Sequence, residues 1–195
     1  MILPLSVKNQ SVESSGITKD YREALCEFIW NGFEANATEV RVSYTLNDLQ
    51  NINTVIVSDN GDGVNYEGIE DTFGAFLASQ KNTLSLKVKS KANKGKGRFS
   101  FAAFSTIAEF KTRYNDNGIV KEYKIILTND NKESLEYDDI PQVIPTNRGT
   151  GTTVTFFIHS ASQQKICHPT HWMIIFCLSL HGICTLTSIK ILNCT

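Results

Sequence analysis

Apolar residues at Tyr21, Leu25, Phe28 and Ile29 recur with the spacing of one helix face and predict a helix running to about Ala37. Asp20 followed by Glu23 resembles a capping box at its start. The period then changes to two. Val40, Val42, Tyr44 and Leu46 alternate as a strand does, and Thr54–Ser58 (TVIVS) reads as a second strand. The polar loop NDLQNIN between them makes the pair antiparallel. Asn60–Gly63 (NGDG) is a turn, and residues 67–80 show helical spacing with Phe73, Phe76 and Leu77 apolar. A helix rich in small and apolar residues is expected from near Phe99 (FSFAAFSTIA). Residues 108–114 and 119–127 alternate around Asn115-Asp116-Asn117-Gly118, a strong hairpin signal. A short strand near Leu135–Tyr137 and a β-rich run at Thr152–Ile158 complete the pattern. Helices interspersed with strands in this way predict an α+β, two-layer α/β sandwich with a mixed, mostly antiparallel sheet. No internal repeat is present.

Composition changes this picture in one respect. The chain of 195 residues is 41% hydrophobic and 20% charged, a globular balance with enough length to bury a core without disulfides. The net charge of −1 gives no global reason to expect a nucleic-acid or anionic-membrane partner. Yet all 20 acidic residues lie at or before Asp139. From Ser160 to Thr195 there is no acid and only two bases, Lys165 and Lys190, alongside Cys167, Cys177, Cys184 and Cys194. We therefore expect a folded unit over residues 1–159 and a Cys/His-rich apolar tail over 160–195 with an atypical or truncated end. The tail is best read as a packed apolar helix. Its run Trp172–Ile189 has 18 residues without a formal charge, but His181, Gly182 and several hydroxyls weaken it as a membrane span. Cys167, His168, His171 and Cys177 lack the paired spacing of a zinc site. No signal peptide is legible, and an odd cysteine count of 5 suits a reducing cytoplasm.

Four short motifs carry the chemistry. In Glu27-Phe28-Ile29-Trp30-Asn31, helical spacing sets Glu27, Asn31 and Glu34 on one flank beside the apolar stripe. A carboxylate there can take a proton from water, and a carboxamide oxygen suits a hard cation such as magnesium; a solvated helix edge has the same pattern. Asp59-Asn60-Gly61-Asp62-Gly63 follows an apolar strand directly. A carboxylate at that strand end can accept from the exocyclic amine of a base, although the same residues also make an ordinary turn. Lys94-Gly95-Lys96-Gly97-Arg98 runs into the expected apolar helix, so free amides and a positive dipole end are available to phosphates. It closes a stretch, Lys81–Arg98, with seven bases and no acid, which also suits a flexible basic loop; we assign it no nucleic-acid role. Gly151-Thr152-Thr153-Val154 puts hydroxyls on the last strand, where threonine is also simply a good strand former.

Together and in this order, the motifs resemble the GHKL ATPase superfamily of type II topoisomerase ATPase subunits, the ninety-kilodalton heat-shock chaperone, histidine kinases and mismatch-repair ATPases. ALCEFIWNGFEANATEV looks like its first box, VSDNGDGV its second, KGKGRFSFAAF its phosphate-lid box and GTTVTF its final strand; the likeness covers roughly residues 15–158. It implies the Bergerat fold, with ATP and magnesium as cofactors. It implies Glu27 as general base, Asn31 as magnesium ligand, and Asp59 on the adenine amine with Gly61 and Gly63 shaping that pocket. Gly95 and Gly97, with Lys94 and Lys96, would hold phosphates, and Thr152 would support the adenine contact. Ala92 stands where the lid box often has a further glycine. Several dimeric members supply a cation to the terminal phosphate from a following domain. Nothing after Ile158 resembles one, so slow turnover is expected, with nucleotide state coupled to lid movement or dimerisation. A homodimer or larger multidomain assembly is the expected partner. The alternatives are a histidine-kinase catalytic domain acting on a partner and an incomplete ATP-binding fragment without turnover. His159 is the first histidine, which leaves no acceptor ahead of the domain.

Overall fold

The computed structural model describes residues 1–5, 18–74 and 97–158, together with the backbone of 188–193. In chain order these give strand β1 (Ile2–Pro4), helix α1 (Tyr21–Glu34), and strands β2 (Glu39–Leu46) and β3 (Ile52–Asp59). A π-helical turn (Glu70–Gly74) and a 3-10 helix (Gly97–Ala103) follow, then β4 (Ser105–Asp116), β5 (Ile119–Thr128), β6 (Ser134–Tyr137) and β7 (Gln142–Val143). A 3-10 turn (Thr146–Arg148), β8 (Gly151–Ile158) and β9 (Ser188–Asn193) complete the set. The strands form one sheet in the order β1-β6-β5-β4-β8-β3-β2-β9, with β7 paired to β5. Every pairing is antiparallel except β2 with β9, which is parallel. This is the expected α+β sandwich with a mixed, mostly antiparallel sheet.

α1 buries Ala24, Leu25, Phe28, Ile29 and Gly32, the stripe its sequence spacing predicts. Its start differs slightly from a simple capping box. Asp20 accepts from the Arg22 amide at 2.8 Å, but the Asp20 amide donates to Thr18 Oγ1 at 3.1 Å, and Thr18 Oγ1 donates in turn to Glu23 at 2.7 Å. Thr18 thus relays the reciprocal half of the box. The Phe28 ring packs against Phe156 of β8 at 4.7 Å and Phe110 of β4 at 6.2 Å, so one helix turn joins the two central strands. The opposite sheet face is polar: Lys111 pairs with Glu122 at 3.0 Å and Lys124 with Glu109 at 3.3 Å. One face packed and one charged is the usual economy of an antiparallel sheet.

The β4–β5 hairpin turns at Asn117 (φ 52) and Gly118 (φ 89), the left-handed pair that an Asn-Gly turn supplies. Two expectations are corrected. The helix from Phe99 is a 3-10 helix ending at Ala103, and Ser105–Ile107 already belong to β4. Ser105 Oγ donates to the carbonyls of Ile107 and Phe157 at 2.7 and 2.8 Å, holding a register shift that starts the strand early. In the tail, residues 188–193 form a strand against β2 rather than a helix, so the sheet takes in residues beyond the composition seam. Ser188-Ile189-Lys190-Ile191 alternates with β-branched residues, a strand pattern. The helical spacing at Phe76 and Leu77, the remainder of the tail and its Cys167/His168/His171/Cys177 set lie outside the described residues. Among the described residues no helix is long and apolar enough to cross a membrane.

Candidate nucleotide site

α1 is the spine on which the motif residues meet. Its exposed flank carries Glu27, partly buried, and Asn31, exposed, one turn apart. The backbone of Gly97 passes directly over them. A Cβ built on Gly97 would stand 3.1 Å from Glu27 Oε2 and 3.9 Å from Asn31 Nδ2. One residue further along the helix, Gly32 meets the end of β3: a Cβ there would lie 3.0 Å from Asp59 Cβ. One turn further, the Ala35 carbonyl accepts the Asp62 amide at 2.8 Å, and a Cβ on Gly61 would fall 2.4 Å from that same oxygen. Residues 70 positions apart in the chain are therefore brought against a single 14-residue helix. Glu34, predicted for the same flank, instead accepts from Trp30 Nε1 at 2.9 Å and stays at the surface.

Asp59 is held and desolvated. Its Oδ1 accepts the Gly61 amide at 2.8 Å and the Thr152 amide at 3.2 Å, which leaves Oδ2 without a hydrogen bond among the described residues. Burial pushes its carboxyl above the ordinary carboxylate range, outweighing those two amides and the pull of Arg113. Thr152 also lies 3.1 Å, hydroxyl to hydroxyl, from Thr112 of β4. Gly63 has φ +73, and a Cβ there would stand 2.0 Å from the Arg113 carbonyl, so only glycine fits this crossing of the loop over β4.

Three contributors were not singled out from the sequence. Asn60 Oδ1 accepts the Thr38 and Glu39 amides at 3.0 and 2.9 Å, tying the glycine loop to the turn after α1. Gly32 permits the helix to approach Asp59. Thr112, wholly buried, accepts the Val64 amide at 2.8 Å. Thr112 had a legible signal: it is the one aliphatic hydroxyl in the core-facing register Ala108, Phe110, Thr112, Tyr114. Gly32 had none, because its partner is distant in sequence. Lys94, Gly95 and Lys96, with Ala92, lie outside the described residues.

Across residues 19–152 the chain matches the family model described as histidine kinase-, DNA gyrase B-, and HSP90-like ATPase. The chain belongs to that family. No curated protein matches it. As a member of the histidine kinase-, DNA gyrase B- and HSP90-like ATPases it is an ATP-binding module of the GHKL type, and the fold above is the one this family uses.

Two residues at the site edge carry predictions of their own. Replacing Gly61 by alanine in this ATPase drives a methyl into the Ala35 carbonyl, so the loop must leave the helix. We expect a loss of about 2 kcal/mol in denaturant unfolding, with ATP binding weakened alongside. Arg98 is buried between the Phe73 and Phe99 rings, 5.9 and 5.0 Å from their centroids, and donates to the Thr72 carbonyl at 3.2 Å. Its Nε and Nη2 have no partner among the described residues, and burial lowers its pKa to about 10, still charged at neutral pH. A buried charge so poorly compensated opposes folding. Arg98→Met is expected to raise the melting temperature of the nucleotide-free protein by a few degrees, about 1 kcal/mol, by scanning calorimetry.

Proposed function

We propose that residues 1–159 bind Mg-ATP across the α1 flank, with the base at Asp59 and the phosphates at Gly97, and hydrolyse it slowly. The observation that carries this reading is Asp59: a desolvated carboxylate with one oxygen pinned by two amides and the other open beside Gly61 and Gly63. In that pose Oδ2 accepts the exocyclic amine of adenine, and the two glycines let the base lie against the backbone. Glu27 takes the proton from the attacking water, which is general-base catalysis on a bond whose cleavage otherwise depends on positioning.

Magnesium suits the donors at the phosphate end. Asn31 offers one exposed carboxamide oxygen beside Glu27, and magnesium characteristically takes one or two protein oxygens, with phosphate and water completing its shell. When bound, the ion would neutralise charge between the terminal phosphates. Asn31 would hold it, and Gly97, lacking a side chain, would leave the space for a phosphoryl group above Glu27. By family resemblance, Lys94, Gly95 and Lys96 would also contact the phosphates.

In this proposal nucleotide state is coupled to movement of the lid box or to dimerisation, in the cytoplasm, with slow turnover until a partner domain supplies a cation. Calorimetric titration with ATP and magnesium, followed by phosphate release, tests the reading. Saturable ATP binding with release abolished in Glu27→Ala supports it. Transfer of the labelled phosphate to a partner histidine without hydrolysis would overturn it in favour of a kinase, and ATP binding with no release by the wild type would make the chain a non-catalytic binding module.

A further inference from the structure

Thr112 occupies a core-facing position of β4 where Phe110 and Tyr114 flank it in register, and it is completely buried. A hydroxyl there is favoured when its proton has an acceptor and its oxygen a donor. Its partners are few and directional. The Val64 amide, 2.8 Å away, can only donate, so Thr112 Oγ1 accepts from it. That leaves the Thr112 proton to be placed. The acceptor in reach among the described residues is Thr152 Oγ1, 3.1 Å away on β8, in direct register with Thr112. The reverse direction, Thr152 donating to Thr112, would strand a proton inside the core.

Thr152 has no such constraint. It is only partly buried, and its amide is already committed to Asp59 Oδ1 at 3.2 Å. Once its oxygen accepts from Thr112, its own proton is left to donate to a group other than Thr112, on a residue whose amide is bonded to Asp59. The loop amide of Val64, immediately after Gly63, is thus the first link of a chain of directed hydrogen bonds that ends at the candidate base pocket: Val64 N–H to Thr112, Thr112 to Thr152, Thr152 to a ligand.

We propose that Thr112 is a positioning residue that fixes the Thr152 hydroxyl as a donor, so that Thr152 and the Asp59 carboxylate together select a 6-amino purine and reject a 6-oxo purine. The inference rests on Asp59 facing the base, as read above. Along its edge a 6-amino purine presents a donor, the exocyclic amine, next to an acceptor, the ring nitrogen N1. A 6-oxo purine presents the reverse, an acceptor oxygen next to an N1–H donor. A carboxylate beside a fixed donor complements the first pattern and opposes the second at both positions. A freely rotating hydroxyl would not contribute this, since it can turn to accept from N1–H. Pinning by Thr112 removes that freedom, because reversing Thr152 would break the buried bond. A bridging water between Thr152 and the base would accept on one side and donate on the other, and so transmit the same direction.

The test titrates the full chain with ATP and with inosine triphosphate, which differs from ATP only in its 6-oxo, N1–H edge. Thr112→Val keeps the shape and deletes the hydroxyl; it is expected to reduce the ATP-to-ITP affinity ratio about tenfold, the effect of one directed hydrogen bond. Thr112→Ser restores the ratio. Thr112→Cys, of similar size and with only a weak donor, falls between them and serves if the valine variant does not fold. In a Thr152→Val background, substituting Thr112 changes the ratio no further, as expected of two residues acting in series. An unchanged ratio in folded Thr112→Val or Thr112→Cys protein overturns the proposal and leaves the reading of Asp59 intact. So does an equal loss of affinity for both nucleotides, which a purely structural role would produce. Wild-type protein that binds neither nucleotide overturns both.

Discussion

Glu27→Ala abolishes phosphate release, by about 10²- to 10⁴-fold, while ATP binding survives. The expectation follows from where Glu27 stands. It is on the flank of α1 rather than in its apolar stripe, so its removal leaves Leu25, Phe28 and Ile29 packed and the helix in place. Its Oε2 lies within 3.1 Å of the position a Cβ would take on Gly97, so it borders the space proposed for the terminal phosphate rather than the base. On the proposed roles, removing Glu27 affects the proton transfer and not the recognition of adenine at Asp59. Single-turnover phosphate release and ATP titration on the same preparation separate the two. Release at the wild-type rate would require a different base; loss of binding together with release would make Glu27 part of the binding surface.

Asp59→Asn should have the opposite profile: ATP binding lost by about a hundredfold or more, with folding intact or improved. Because Oδ1 accepts from the Gly61 and Thr152 amides, a carboxamide at this position must keep its oxygen there and turn its NH₂ into the pocket. The pocket then offers a donor to the amine of adenine, and the interaction changes from attractive to repulsive. Stability moves the other way because burial raises the Asp59 pKa. A carboxyl with a raised folded-state pKa binds protons more readily folded than unfolded, so its contribution to stability falls as pH climbs from about 4 through the raised value and stays low above it. At neutral pH the wild type therefore carries the cost of a buried charge. Melting curves taken from pH 4 to pH 7 should show a component of this decline that is absent in Asp59→Asn. A variant less stable than wild type at neutral pH would mean that the carboxylate contributes to the fold itself.

The polarity of Asp59 and that of Thr152 meet in one place, and the geometry explains why the fold tolerates both. Several hydrogen bonds around them link a side chain to a backbone amide at a strand end or in a loop: Gly61 and Thr152 to Asp59, Val64 to Thr112, Thr38 and Glu39 to Asn60. A buried amide without a partner is unfavourable. The polar side chains thus satisfy these amides first, and the groups left over, Asp59 Oδ2 and the Thr152 hydroxyl, are available to a ligand. Arg98 stands apart, buried with two nitrogens that have no partner among the described residues, a charge retained where stability alone would favour methionine.

Much of this was legible in residue order. The α1 stripe, the alternation of β2 through β5, the Asn117-Gly118 turn and the strand at Gly151–Ile158 follow from periods of 3.6 and 2 and from residues that adopt positive φ, which are local properties of the chain. Glu27, Asn31, Asp59, Gly61, Gly63, Gly97 and Thr152 were singled out by motif, because a phosphate cradle or a strand-end carboxylate needs those residue types adjacent in sequence. Local reasoning failed at two elements whose neighbours are distant. The helix expected from Phe99 stops at Ala103 because Ser105 finds acceptors at Ile107 and Phe157, the second of which is 52 residues away. β9 joins the sheet because β2 has an edge to offer; the alternation within residues 188–193 suits a strand but does not name that partner. Tertiary structure alone decided that Gly32 abuts Asp59, that Gly97 closes over Glu27 and Asn31, and that Thr112 reaches both Val64 and Thr152. The division has a physical cause. Period and turn chemistry are set by each residue's own backbone and neighbours, whereas contact across strands and the direction of a buried hydroxyl are set by whichever partners folding brings within reach.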